Sequence, residues 1–117
     1  MKLFNEIKKC VEGYNINNID YDEKGEYNGN KSIYFNYNNL DYIIEIVNFN
    51  DNNNYITKNE YQVLNDNLDI INEINNYLID KKYKTKIIFD LYIKPTILIY
   101  IDNKCYGIEF TINNDFC

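Results

Sequence analysis

Carboxylates are the side chains of this sequence whose number and spacing suggest a role in recognition. Four of the five acidic residues in the stretch 57–82 recur at helical spacing, and no lysine lies between the first and the last of these four. This helical acidic set consists of Asp66, Asp69, Glu73 and Asp80. On an α-helix, steps of three, four and seven residues return to one face, where like charges repel by a few tenths of a kcal/mol. A solvated face of an acidic protein explains this spacing, and a surface that binds a basic partner is the alternative with a functional consequence.

A second group of carboxylates, the N-terminal acidic set, lies in a stretch that reads as a loop or a short edge strand. It consists of Asp20, Asp22, Glu23 and Glu26. If this stretch folds towards the helix, the two sets would form one partner-binding surface. The order of Asp20 and Asp22 also matches the start of a calcium loop. The match fails because Lys24 and Lys31 stand where oxygen ligands are required.

The residue types of most catalytic sites are missing. The chain has no histidine and a single serine, Ser32, so the usual activated nucleophiles cannot be assembled. Asp90 followed by Asp102 and Lys104 has the order of a metal-dependent nuclease motif. That motif needs its second half on a strand, and we predict a turn there. Cys10, Cys105 and Cys117 show no metal-binding spacing. We therefore expect no enzyme activity, no metal and no cofactor.

Charge and composition narrow the class of partner. The 117 residues carry a formal charge of −6, and all 12 basic residues are lysines. Because arginine is the usual residue for phosphate recognition, direct nucleic-acid binding is not expected. An acidic domain is instead steered rapidly to a basic protein surface. No signal peptide or membrane-length apolar run is visible, which predicts a cytoplasmic protein.

The elements that carry these residues follow from periodicity. Apolar residues at steps of three and four predict one long helix over Thr57–Lys82, with Thr57 as N-cap and Glu60 completing a capping box. Its predicted buried stripe is Tyr61, Leu64, Leu68, Ile71, Ile74 and Leu78. A shorter amphipathic helix is predicted over residues 2–12.

The remaining segments show the period of two that is typical of strands. A first hairpin is predicted over residues 31–47, with Asn38 and Asn39 as a two-residue turn. A strand over 86–93 and a second hairpin over 96–111, turning at Asn103 and Lys104, should follow. The sequence thus predicts a single α+β domain over 1–117: a mainly antiparallel sheet of about five strands with two helices packed on it.

We infer from these features a small acidic inhibitor that binds a basic, nucleic-acid-handling protein. An immunity protein that neutralises a nuclease toxin by covering its positive site fits this description. A phage-encoded inhibitor of a host defence system that targets nucleic acid fits it as well. A homo-oligomerising structural module is a further alternative, and an enzyme that uses carboxylates is the least favoured.

Overall fold

The computed structural model describes residues 2–14, 17–26, 29–49, 56–90 and 93–112. Over these residues the chain forms three helices and a sheet of six strands. The elements are α1 (Lys2–Glu12), β1 (Asn17–Asp22), β2 (Lys31–Tyr37), β3 (Leu40–Asn48), α2 (Lys58–Asp66), α3 (Asp69–Asp80), β4 (Lys84–Ile88), β5 (Thr96–Ile101) and β6 (Lys104–Ile112). The strand order is β1-β2-β3-β6-β5-β4, and every neighbouring pair is antiparallel. The α+β class is confirmed, with one strand and one helix more than predicted.

The first hairpin has the predicted register. Phe35 faces Tyr42, and Ile33 faces Ile44. The turn residues Asn38 and Asn39 have φ of 52° and 63°. Two positive φ angles define a turn whose twist matches that of the flanking strands, and asparagine tolerates them.

The predicted register of the second hairpin is wrong. A two-residue turn is present, but it consists of Asp102 and Asn103, with φ of 49° and 65°. Lys104 is consequently the first residue of β6, and Ile99 faces Tyr106 instead of Ile108. Asp and Asn adopt positive φ more readily than lysine does, which accounts for the position of the turn.

The single helix predicted over Thr57–Lys82 is also wrong, because the chain leaves the helical conformation at Asn67 (φ −133°, ψ 57°). The Asn67 side-chain amide donates to the carbonyl oxygen of Val63 at 2.8 Å, and its backbone N–H donates to Leu64. Short polar side chains compete in this way with helical hydrogen bonds. The apolar stripe continues across the break into α3, so periodicity alone could not reveal it.

The predicted N-cap is confirmed, since Thr57 Oγ1 accepts a hydrogen bond from the Glu60 N–H at 3.1 Å. The Glu60 carboxylate accepts from the backbone N–H of Ile112 at 3.4 Å. This contact joins the first turn of α2 to the last residue of β6.

The strand predicted over 86–93 is shifted towards the N-terminus, to Lys84–Ile88. Phe89 and Asp90 lie outside it and are exposed. The Ile93 N–H donates to the backbone carbonyl oxygen of Asp90 at 3.0 Å, and Pro95 lies directly before β5. Residues 91 and 92 of the predicted strand lie outside the described residues.

One face of the sheet and the inner sides of the helices form the core. Strand residues in alternate positions, such as Ile33, Ile44 and Ile97, are at most 1% exposed. Four of the six residues of the predicted helical stripe are fully buried: Leu64, Ile71, Ile74 and Leu78. Tyr61 and Leu68 are only half-buried, and Ile70 is buried although the stripe omitted it.

The end of α3 provides a first prediction. Lys82 has φ of 71°, and the Tyr83 and Lys82 N–H groups donate to Leu78 and Ile79, a Schellman arrangement. Glycine is favoured at this position because it lacks a Cβ. Lys82→Gly should raise the free energy of unfolding by about 0.5–1 kcal/mol in urea denaturation. Lys81→Gly is the control: Lys81 has φ of −85°, so no gain is expected there. A less stable Lys82→Gly variant would contradict the argument.

The buried Tyr42 provides a second prediction. Burial, followed by the charge of Asp69, raises the pKa of Tyr42 to about 12 from its ordinary value near 10. Between these pH values the unfolded chain loses this proton while the folded chain keeps it. Stability should therefore fall as pH rises from 10 to 12, by ~1.4 kcal/mol per pH unit from this group. Urea denaturation should show a shallower fall in Tyr42→Phe, and equal slopes would contradict the assignment.

Candidate protein-binding surfaces

The helical acidic set is exposed, but the break at Asn67 divides it between two helices. Asp66 is the last residue of α2, whereas the other three residues lie on α3. The Asp66 carboxylate accepts from the Gln62 side-chain amide at 3.0 Å. Among the ion pairs between described residues, none involves a member of this set. These carboxylates are therefore not neutralised by the chain's own lysines.

The ends of the helices set the local cost of these charges. Asp69 is the first residue of α3, where the helix dipole favours a negative charge. Asp66 and Asp80 each end a helix, where the dipole opposes a negative charge by about 0.3–1 kcal/mol. A helix adjusted for stability alone would carry lysines at these two positions.

Glu73 and Asp80 differ from Asp66 and Asp69 because they line a groove between α1 and α3. The groove has a volume of about 290 Å³ and is lined by Lys9, Cys10, Gly13, Tyr14, Glu73, Asn76, Tyr77 and Asp80. Burial raises the pKa of Tyr14, and a hydrogen bond to Glu73 raises it further. Burial also raises the pKa of the Cys10 thiol to about 11, with a smaller contribution from the Glu73 charge. Glu73 is thus directed towards α1.

The N-terminal acidic set lies on β1 and on the turn that follows it. Tyr21, between Asp20 and Asp22, packs edge-on against Phe4 of α1 at 6.4 Å between ring centroids. Its hydroxyl donates to Glu12 at 2.5 Å. Because side chains alternate along a strand, Asp20 and Asp22 project from the face of the sheet opposite the helices.

Glu23 and Glu26 lie in the turn after β1, and each takes part in a hydrogen bond within the protein. The Lys8 ammonium is 2.8 Å from the Glu23 carboxylate, and this hydrogen bond and charge lower the pKa of Glu23. The Glu26 N–H donates to the Asp22 carboxylate at 3.0 Å. Helix α1, with Lys8 and Lys9, separates this set from α3. The fold therefore does not bring the two acidic sets onto one face.

Sequence reasoning missed a pair of carboxylates on the outer face of the sheet. Glu45 of β3 and Glu109 of β6 are directly opposite each other. Glu109 is nearly buried and lies 3.8 Å from the Lys94 ammonium, while Glu45 accepts from the Asn30 side chain at 3.2 Å. Only the pairing of β3 with β6, which have two helices and two strands between them in the sequence, could have revealed this pair.

The described residues offer neither a metal site nor a membrane-spanning helix. Over the described part of the chain, no three acidic or cysteine side chains come together in a way that could hold a metal ion. None of the described helices is long and apolar enough to cross a membrane.

The orientation of the Glu73 carboxylate can be tested through the pKa of the Cys10 thiol. Replacing Glu73 with Gln removes a negative charge next to the thiol, so the pKa of Cys10 should fall below about 11. The measurement is the pH dependence of iodoacetamide alkylation in a chain with Cys105 and Cys117 replaced by Ser. Asp69→Asn makes the same charge change on the same helix and should leave the profile unchanged. An unchanged profile in Glu73→Gln would show that this carboxylate points away from α1.

Comparison of the chain with protein-family models, with curated proteins and with solved structures finds no match. What the protein does is therefore inferred below from the chemistry of its own surface.

Proposed function

We propose that this protein is an inhibitor that binds a basic, nucleic-acid-handling protein through the outer surface of α2 and α3. The acidic side chains of this surface would occupy the positive site where the partner holds nucleic acid. Two biological settings require the same chemistry: neutralisation of a nuclease toxin by its immunity protein, and inhibition of a host defence system by a phage protein.

One observation carries the proposal: Asp66, Asp69 and Asp80 are exposed and have no ion pair with another described residue. Asp66 and Asp80 also oppose the helix dipole. Charges that are kept where they cost stability are expected when a partner uses them. Glu73 supports the same surface from the groove wall but already interacts with Tyr14.

The mechanism combines attraction at long range with occlusion at contact. The net charge of −6 and the carboxylates on α2 and α3 would accelerate the encounter with a positive surface, and salt would slow it. Once docked, the inhibitor excludes nucleic acid by occupying the same space. This mechanism requires no cofactor and no reaction on the inhibitor.

The test uses a triple variant, Asp66→Asn, Asp69→Asn and Asp80→Asn, which leaves Glu73 and its contact with Tyr14 in place. Exposed ion pairs contribute about 0.2–1 kcal/mol each, so partner affinity should fall about 3- to 150-fold. The matched control neutralises Asp41, Asp90 and Asp102, which are exposed on other elements. It changes the total charge equally and should bind nearly as the unmodified protein does.

The experiment has two stages. In the first stage, the unmodified protein and both variants are used as baits in lysate of the native host at low and at high salt. Quantitative mass spectrometry measures how much of each host protein they capture. The captured protein is then produced alone, and its affinity for each variant and its activity on nucleic acid are measured. A captured protein whose activity is unaffected by the inhibitor would overturn the proposed function. Equal affinity for both triple variants would place the binding surface elsewhere.

A further inference from the structure

Lysines gather at one corner of the sheet, far from the carboxylates of β1. Lys82, Lys84 and Lys104 line a groove of about 670 Å³, with Asp102 as its single carboxylate. Lys84 and Lys104 are 20 positions apart in the sequence. The antiparallel pairs β4–β5 and β5–β6 bring them to the same end of the sheet. None of the three lysines forms an ion pair with another described residue.

An aromatic side chain lies within this lysine corner. Tyr100 of β5 lies directly opposite Lys84 on one side and Cys105 on the other. Its side chain is 49% exposed, whereas the neighbouring Ile99 is fully buried on the opposite face. The exposed ring lies across the strand pair from Lys84, at the wall of an open groove that Lys82 and Lys104 also line. The groove therefore combines a flat apolar surface with positive charge.

The backbone conformation of Lys82 is an independent indication that this corner of the sheet has a function. Its φ of 71° is a conformation that glycine adopts without strain and that lysine adopts at a cost. Residues with a strained backbone conformation cluster at functional sites. At this position the function would be served by the charge that Lys82 contributes to the groove.

From this geometry we propose that the lysine corner, defined by Lys82, Lys84, Lys104 and Tyr100, binds a single strand of nucleic acid. The ammonium groups would contact backbone phosphates, and one base would stack on the Tyr100 ring. A single strand fits better than a duplex because stacking requires an unpaired base. Lysine is suited to this contact, since it binds phosphate as a point charge.

This inference is independent of the proposed function because it rests on lysines and not on carboxylates. It departs from the expectation, drawn from the total charge and the missing arginine, that the chain contacts no nucleic acid. Total charge describes the field at a distance. Contacts within a groove depend on the charges that folding has placed there.

The test measures fluorescence anisotropy of a labelled oligodeoxythymidine of about twelve nucleotides with the full chain. Three phosphate contacts predict a slope of about −2 for log affinity against log salt, or about a 20-fold loss between 50 and 200 mM. Replacing Lys84 and Lys104 with Ser should reduce that slope to about −0.7. Tyr100→Leu should weaken binding about 5- to 150-fold, whereas Tyr100→Phe should retain it.

The matched control replaces Lys24 and Lys58, which are exposed on other elements, with Ser. It should leave affinity and slope nearly unchanged, and circular dichroism should confirm that every variant is folded. The proposal is overturned by no binding at low salt, or by equal losses in the control and in the Lys84 and Lys104 variant. A competition with polyglutamate, at the same concentration of negative charges as the oligonucleotide, provides a further check. If polyglutamate displaces the oligonucleotide and Tyr100→Leu does not weaken binding, the proposal is overturned. That result would indicate that the groove binds an acidic protein.

Discussion

The structure depends on a core formed between one face of an antiparallel sheet and three helices. Alternate residues of the strands are apolar and lie at most a few per cent exposed against the helices. Moving a strand by one residue would turn its apolar side chains to the other face, so each register is tightly constrained. The inner sides of α1 and α3 and the residue Leu64 of α2 complete this layer. Charged side chains are therefore confined to the rims and outer faces, and their grouping follows from the order of the strands.

That confinement gives the molecule two surfaces of opposite charge. Asp66, Asp69 and Asp80 are exposed on the helical layer. Lys82, Lys84 and Lys104 line a groove at the β4 end of the sheet. The break at Asn67 matters here because it creates a helix end at Asp66 and a helix start at Asp69. Asp66 consequently lies at the negative end of one helix dipole, and Asp69 lies at the positive end of the next. The basic corner coexists with a net charge of −6 because three lysines and only one carboxylate, Asp102, line its groove.

Local patterns predicted the elements well where a turn or a cap has a specific chemistry. The Asn38–Asn39 turn and the Thr57 cap were confirmed, since each depends on neighbouring residues only. The register predicted for the second hairpin was wrong because the Asn103–Lys104 turn was chosen for its apolar pairs, whereas Asp102 and Asn103 are the residues with positive φ. The prediction of one long helix was wrong because the Asn67 side chain competes for the hydrogen bonds of the helix. The spacing of apolar residues carries no information about this competition.

The sequence by itself determined the α+β class, the buried stripe of α2 and α3 and the exposure of the helical acidic set, because all three follow from local periodicity. Only the tertiary structure decided which charges are neighbours. It placed Lys8 beside Glu23, directed Glu73 towards Tyr14 and set Glu45 opposite Glu109. It also brought Lys84, Tyr100 and Lys104 to the wall of one groove. The reason is that strand order joins segments distant along the chain, and this pairing is fixed by the packing of the whole core.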